Sequence, residues 1–250
     1  MNDIQPASRR RDSGGPPLGI LAIVHAGLFL LALLVGVLLS GAGAFLSPFA
    51  GADAVAAHAH ADWAAIRVGA MLQFGSAVPL GIYAATAFAR LQRLGVRVPG
   101  PAIGFAGGLT ASIMLMVSAL GSYLLSRPEL TADPHLALAF SFLAFAAGGV
   151  GYVVGLGLLI AGLAVPGLIL GLLPRWLAWV GLVVAALSEL SFLSLAVEPL
   201  QFLLPVGRFV GMAWLIAAGF LLPLDRREVR DSRGGRGGQG ARGAQSEVRS

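Results

Sequence analysis

Residues 135–173 read HLALAFSFLAFAAGGVGYVVGLGLLIAGLAVPGLILGLL, without one Asp, Glu, Lys or Arg. How many helices this run contains decides the fold. A helix that crosses a bilayer needs about 20 apolar residues, because the hydrocarbon core is roughly 30 Å thick and each residue rises about 1.5 Å. Two crossings would have to part at Gly148-Gly149, which leaves 13 residues before that pair, too few to span. The run therefore reads as one long helix, His135 to Val165, that kinks or stops near Pro166.

Five other stretches meet the same length requirement: Leu18 to Leu46, Ala64 to Phe88, Ala102 to Leu125, Trp176 to Val197, and Pro205 to Pro223. The expected fold is all-α and polytopic, with six transmembrane helices over residues 18–223. Residues 1–17 precede it as a cytoplasmic segment, and residues 224–250 follow as a disordered Arg/Gly-rich cytoplasmic tail. Composition agrees. Hydrophobic residues make up 57% of the 250, charged residues 12%, and mean hydropathy is +0.83. A soluble domain carries about 25% charged residues to solvate its surface. The absence of cysteine excludes disulfide frameworks and thiolate chemistry.

Arg-rich segments stay cytoplasmic. Arg9 to Arg11, Arg90, Arg93, Arg97, Arg175 and the seven Arg after Leu224 all fall on one side of a six-span chain. Arg127 falls on the other, with Asp53, Asp62, Glu129, Asp133 and Glu198. Both termini are expected in the cytoplasm of a bacterial inner membrane. The net charge of +5 is thereby a topological feature. Nucleic acid is not an expected partner, since the two Arg-Gly-Gly repeats of the tail carry no aromatic residue for stacking. Ala42-Gly43-Ala44 resembles a signal-peptidase site, but the apolar run before it far exceeds the usual 7 to 15 residues. The first span is expected to be retained.

Ionisable groups inside a bilayer are costly and mark function by default. Glu189, inside the fifth span, and Arg208, near the start of the sixth, lie at comparable depths on adjacent helices. Arg67 opens the second span on the same side. Ser188, Ser191 and Ser194 flank Glu189 at helical i, i+3 spacing. The expected arrangement is an intramembrane polar cluster of Glu189, Arg208, Arg67, Ser188 and Ser191. In it Glu189 lies within direct or single-water reach of Arg208 or Arg67. It would be a packing-fixing ion pair or, alternatively, a polar ligand pocket or proton path. His25, within the first span, reads as a hydrogen-bonded bundle residue, because a bis-His haem would need a second His at its depth. Pro79 should kink the second span between Gln73 and Tyr83.

His58-Ala59-His60-Ala61-Asp62 has ligand types suited to zinc. It resembles the start of the His-x-His-x-Asp-His motif of metallo-β-lactamase-like hydrolases. Trp63 replaces the final His, and no second His cluster follows. The expectation is a loop without metal, weak zinc binding being the alternative. The Gly pairs 104/108, 151/155, 167/171 and 207/211 have the spacing that lets helix backbones approach. They read first as interface residues within the bundle and second as a homo-oligomer face. Trp63 and Trp176 read as interfacial anchors, whereas Trp214 must pack among helices.

PRWLAWVG at 174–181, SELS at 188–191, LPVGRF at 204–209, WLIAAGFLLP at 214–223 and QFGSAVPL at 73–80 resemble a family of bacterial six-span membrane proteins of unknown function. The resemblance implies six helices and no established activity. No nucleotide loop, nucleophile elbow, zinc-protease helix or carboxylate pair is present. A non-enzymatic inner-membrane protein is expected, without cofactor, embedded in the lipid bilayer and binding a small or lipid-like ligand or scaffolding a partner. The alternatives are a small secondary transporter or channel, for which no repeat between the halves is evident, and a membrane-embedded enzyme.

Overall fold

The protein is represented by a computed structural model that describes residues 15–40 and 46–224. The Arg-rich start, the Ala42-Gly43-Ala44 triplet and the Arg/Gly-rich tail lie outside the described residues. The first span is α1 (Leu18–Ser40). Ser47 caps a short turn by accepting from the Phe49 N–H at 3.3 Å, and α2 (Ala52–Ala61) follows. The second and third spans are α3 (Trp63–Arg93) and α4 (Gly100–Leu125), and α5 (Pro128–Thr131) is a single turn. α6 (Pro134–Ala146) is capped by the Asp133 carboxylate, which accepts from the His135 N–H at 2.9 Å. A π-helical segment, Ala147–Gly151, joins it to α7 (Tyr152–Ile169). α8 (Arg175–Leu190) and α9 (Leu203–Leu221) are the fifth and sixth spans.

Six of the described helices are long and apolar enough to cross a membrane, and no strand occurs among the described residues. The chain is all-α, with the architecture of a multi-pass membrane protein. Residues 134–169 form one continuous span. Gly148-Gly149 does not break it but widens it into a π-bulge, and Pro166 is absorbed within it. Pro79 likewise lies inside α3. α3 runs past Phe88 to Arg93 because the Arg90 side chain is itself buried there, its Nη1 donating to the Leu222 carbonyl at 3.3 Å. α8 ends sooner than Val197, tightening into a 3₁₀ turn at Ser191–Leu195.

The spans pack in a closed ring, α1–α3–α4–α7–α8–α9 and back to α1, with α7 also touching α9. Both described termini lie at one end, where Gly219 meets the backbone of Gly19. We call this the proximal end and the opposite one, with α2 and α5, the distal end. The tightest seam joins α4 to α7. A Cβ on Gly155 would lie 2.6 Å from the Ala111 amide nitrogen, and one on Gly162 would lie 2.6 Å from the Gly100 carbonyl. Only glycine permits that approach. Gly104, Gly108, Gly151, Gly207 and Gly211 also face neighbours inside the bundle, so a second copy would have to use another surface. Gly171, at φ +65°, instead turns the chain from α7 into α8. Trp63 and Trp176 are exposed at helix starts, whereas Trp214 is buried and donates from Nε1 to the Leu177 carbonyl at 2.8 Å.

Candidate ligand cavity

The distal half of the bundle holds a partly open cavity of about 520 Å³, bounded by α1, α3, α4, α6 and α9 and roofed in part by α2. It exists because small residues face one another there. Ala32 and Gly36 of α1, Gly69 and Ala70 of α3, and Ala144 of α6 line it. Where larger side chains would interdigitate, these leave space. The volume is within the ordinary range for small-molecule sites, about 300–1,000 Å³.

Polar groups gather toward the floor. Gln73 donates from Nε2 to Ser118 Oγ at 2.9 Å, and Ser118 donates to the Ala144 carbonyl at 2.7 Å. Beside them, Ser76 Oγ donates to the Gln73 carbonyl at 2.8 Å. His25 is buried and bridges three spans. Its Nδ1 is 2.8 Å from the Ser76 carbonyl and its Nε2 is 3.1 Å from Tyr152 Oη. A carbonyl can only accept, so Nδ1 carries a proton; in the neutral ring Nε2 then accepts from the tyrosine.

Arg208 projects from α9 across this floor. Its guanidinium lies over two rings, 5.2 Å from the Phe29 centroid and 5.5 Å from that of Tyr152. Its Nη2 donates to the Gly148 carbonyl. The π-bulge accounts for that acceptor: the wider i→i+5 winding disturbs the regular carbonyl ladder at this point, leaving a carbonyl to bond sideways. Nε is buried without a partner. Ion pairs among the described residues join His58 to Asp62 and Arg127 to Glu129, and none reaches Arg208. A cation thus stands at the base of an apolar-walled cavity without a carboxylate.

The cluster expected around Glu189 does not form. Glu189 makes no ion pair with Arg208 or Arg67 among the described residues, and its Oε1 is buried and unpartnered. That oxygen would be 2.9 Å from a Cβ on Gly157, whereas Arg208 bonds to Gly148. Gly148, in the π-helical segment, precedes Gly157 of α7 by nine residues, roughly 13 Å of helical rise. The physical reason is side-chain direction. Cα–Cβ bonds lean toward their own helix N-terminus, and α8 and α9 are antiparallel. Glu189 therefore leans proximally and Arg208 distally, although Gly207 packs directly against Ser188. Nor do the serines attend the carboxylate. Ser191 donates to the Ser188 carbonyl and Ser194 to the Ser191 carbonyl, each at 2.6 Å, closing the end of α8. Ser188 Oγ is buried without a partner. Arg67 belongs to another corner, where Nε and Nη2 donate to Ser126 at 3.3 and 3.2 Å while Trp63 stacks at 5.0 Å.

The His58-to-Asp62 string is helical, so its three side chains do not converge. His58 Nδ1 pairs with Asp62 Oδ2 at 2.9 Å, while His60 Nε2 turns to the Thr131 carbonyl at 3.2 Å. No group of three His, Asp or Glu side chains placed to hold a metal occurs among the described residues.

Sequence reading picked out His25, Gln73 and Arg208 but missed Phe29, Ser76, Ser118 and Tyr152. The available signal was Gly148-Gly149, which marks a bulge and hence a free carbonyl at Arg208's level. The chain matches no protein-family model, no curated protein and no solved structure.

Proposed function

We propose that this is a ligand-binding protein of a bacterial inner membrane, not an enzyme, and that the distal cavity is where it takes up a small amphiphilic molecule. The observation that carries the reading is the cavity itself: apolar walls of small residues over a floor where Gln73, Ser118, the Gly148 carbonyl and Arg208 converge. This combination of concavity, apolar lining and a few fixed polar groups is what small-molecule sites share. Support for the orientation comes from arginine: among the described residues Arg90, Arg93, Arg97 and Arg175 fall at proximal helix ends and turns, whereas Arg127 falls in a distal connection. The cavity then lies in the outer-leaflet half of the bundle, and lipid or a lipid-like solute is its natural source. The resemblance to uncharacterised bacterial six-span proteins is consistent with this and adds no activity.

The test is to fill the cavity. Gly69 lines it, and a Cβ there would lie 3.9 Å from its nearest neighbour, the Ala32 carbonyl. Gly69→Leu should fold normally and lose saturable binding of a radiolabelled long-chain amphiphile to the full chain in neutral-lipid nanodiscs. Unchanged binding would overturn the reading. For orientation, a cysteine at Ala57 should react with an impermeant thiol reagent in cells with a permeabilised outer membrane, and one at Gly95 should not.

A further inference from the structure

We infer that the ligand of the distal cavity is a single-chain amphiphile with an anionic head, a carboxylate or phosphate monoester, seated on Arg208. The inference rests on the ligand-cavity reading above and deepens it.

Two observations fix the head. Arg208 has five donors; one is used by Gly148 and none meets a carboxylate among the described residues. A buried cation without a counter-ion is expensive. The Phe29 and Tyr152 rings offset part of that cost through cation–π contact, and an anion entering the cavity would offset much of the rest. The same rings and the Gly148 bond hold the guanidinium in one pose, so little side-chain entropy remains to be lost on binding. Alongside, the Gln73 side chain lines the same floor, and the Nε2 donor not given to Ser118 suits a second oxygen of the head. Neither Glu189 nor Asp62 competes, since the first leans away along α7 and the second is held by His58.

The size of the cavity suits a short tail. At about 520 Å³ it falls in the range of small-molecule sites, which fits a single acyl chain with its head. Ala32, Gly36, Gly69 and Ala70 give the chain a smooth wall.

The decisive measurement uses the full chain in neutral phosphatidylcholine nanodiscs with radiolabelled myristate, competed by unlabelled myristate, myristyl phosphate or myristyl alcohol. The alcohol should compete about tenfold or more weakly than the anions, the scale of one charge-assisted hydrogen bond. Whichever anion competes better identifies the head, carboxylate or phosphate. In Arg208→Gln the anions should fall to the level of the alcohol, while alcohol binding persists and shows that the cavity remains folded. Equal competition by alcohol and anions in the unmodified protein overturns the inference and leaves the cavity reading intact. Absence of any saturable binding, by alcohol or anion, overturns both.

Discussion

α6 and α7 belong to one uninterrupted apolar span, yet they behave as different materials. Of the 13 residues of α6 only Ala137 is fully buried, whereas 12 of the 18 in α7 are. The two are joined through the π-bulge at Ala147–Gly151. Proximal to the bulge, glycines press α7 against α4 until backbones touch. Distal to it, α6 lines one side of a cavity. Hydrophobicity alone does not explain the contrast, because both halves are rich in Leu, Ala and Phe or Val. In lipid, apolar character provides little drive for one helix to prefer another; close packing does. Glycine at the seam therefore separates the packed half from the open one.

The largest effect is expected at that seam. Gly155→Val would force a side chain into the Ala111 backbone, which cannot retreat as a flexible side chain can. A loss of about 3 kcal/mol is expected, at the upper end for overpacking, read as a sharp fall in Tm in detergent. Its counterpart on α6, Ala139→Val, sits on an exposed face and should stay within about 0.5 kcal/mol. Equal effects at the two positions would dissolve the distinction between the halves.

A smaller effect is expected where the halves meet. His25 joins α1 to Ser76 of α3 and to Tyr152, the first residue of α7. Replacing His25 by Leu leaves the tyrosine hydroxyl without its acceptor, and removing one partner of a buried pair typically costs about 1–3 kcal/mol. With Tyr152→Phe added, the double variant should be less damaged than the two single losses together, by about 1 kcal/mol. Strict additivity in thermal unfolding would mean the pair does not couple the packed half to the cavity.

The smallest effect is expected at Glu189. Its carboxylate rests on the Gly157 face of α7 without a cation among the described residues. Glu189→Gln keeps the shape and removes a charge that nothing compensates, so Tm should change little or rise. A loss comparable to that of Gly155→Val would mean that the carboxylate holds an ion pair after all, and would return Glu189 to the centre of the site.

Much of the architecture was legible before any coordinates. The length of each apolar run set six crossings, and the shortness of residues 135–147 ruled out a seventh. The even count placed both described ends together. Glycine spacing announced close helix contacts, and an isolated His in an apolar helix implied a bonded partner. The His58–Asp62 string was expected in a loop; it lies on α2 and its C-cap instead, which puts His58 and Asp62 on one face.

Sequence reading set Glu189 beside Arg208 from the depth of their positions along adjacent spans, and that depth estimate was sound for the backbone: Gly207 does meet Ser188. What depth leaves out is direction. Antiparallel helices lean their side chains opposite ways, so residues level at Cα part by roughly two and a half turns at their charged ends. The cavity is a second thing only the tertiary structure decided, because empty space has no residue of its own. It arises where Ala32, Gly36, Gly69 and Ala144, drawn from three different helices, happen to face each other. Arg208 found its acceptor for a related reason: the carbonyl it meets lies in a wide-wound segment, and that winding at Gly148 depends on how α6 and α7 settle against α4 and α9.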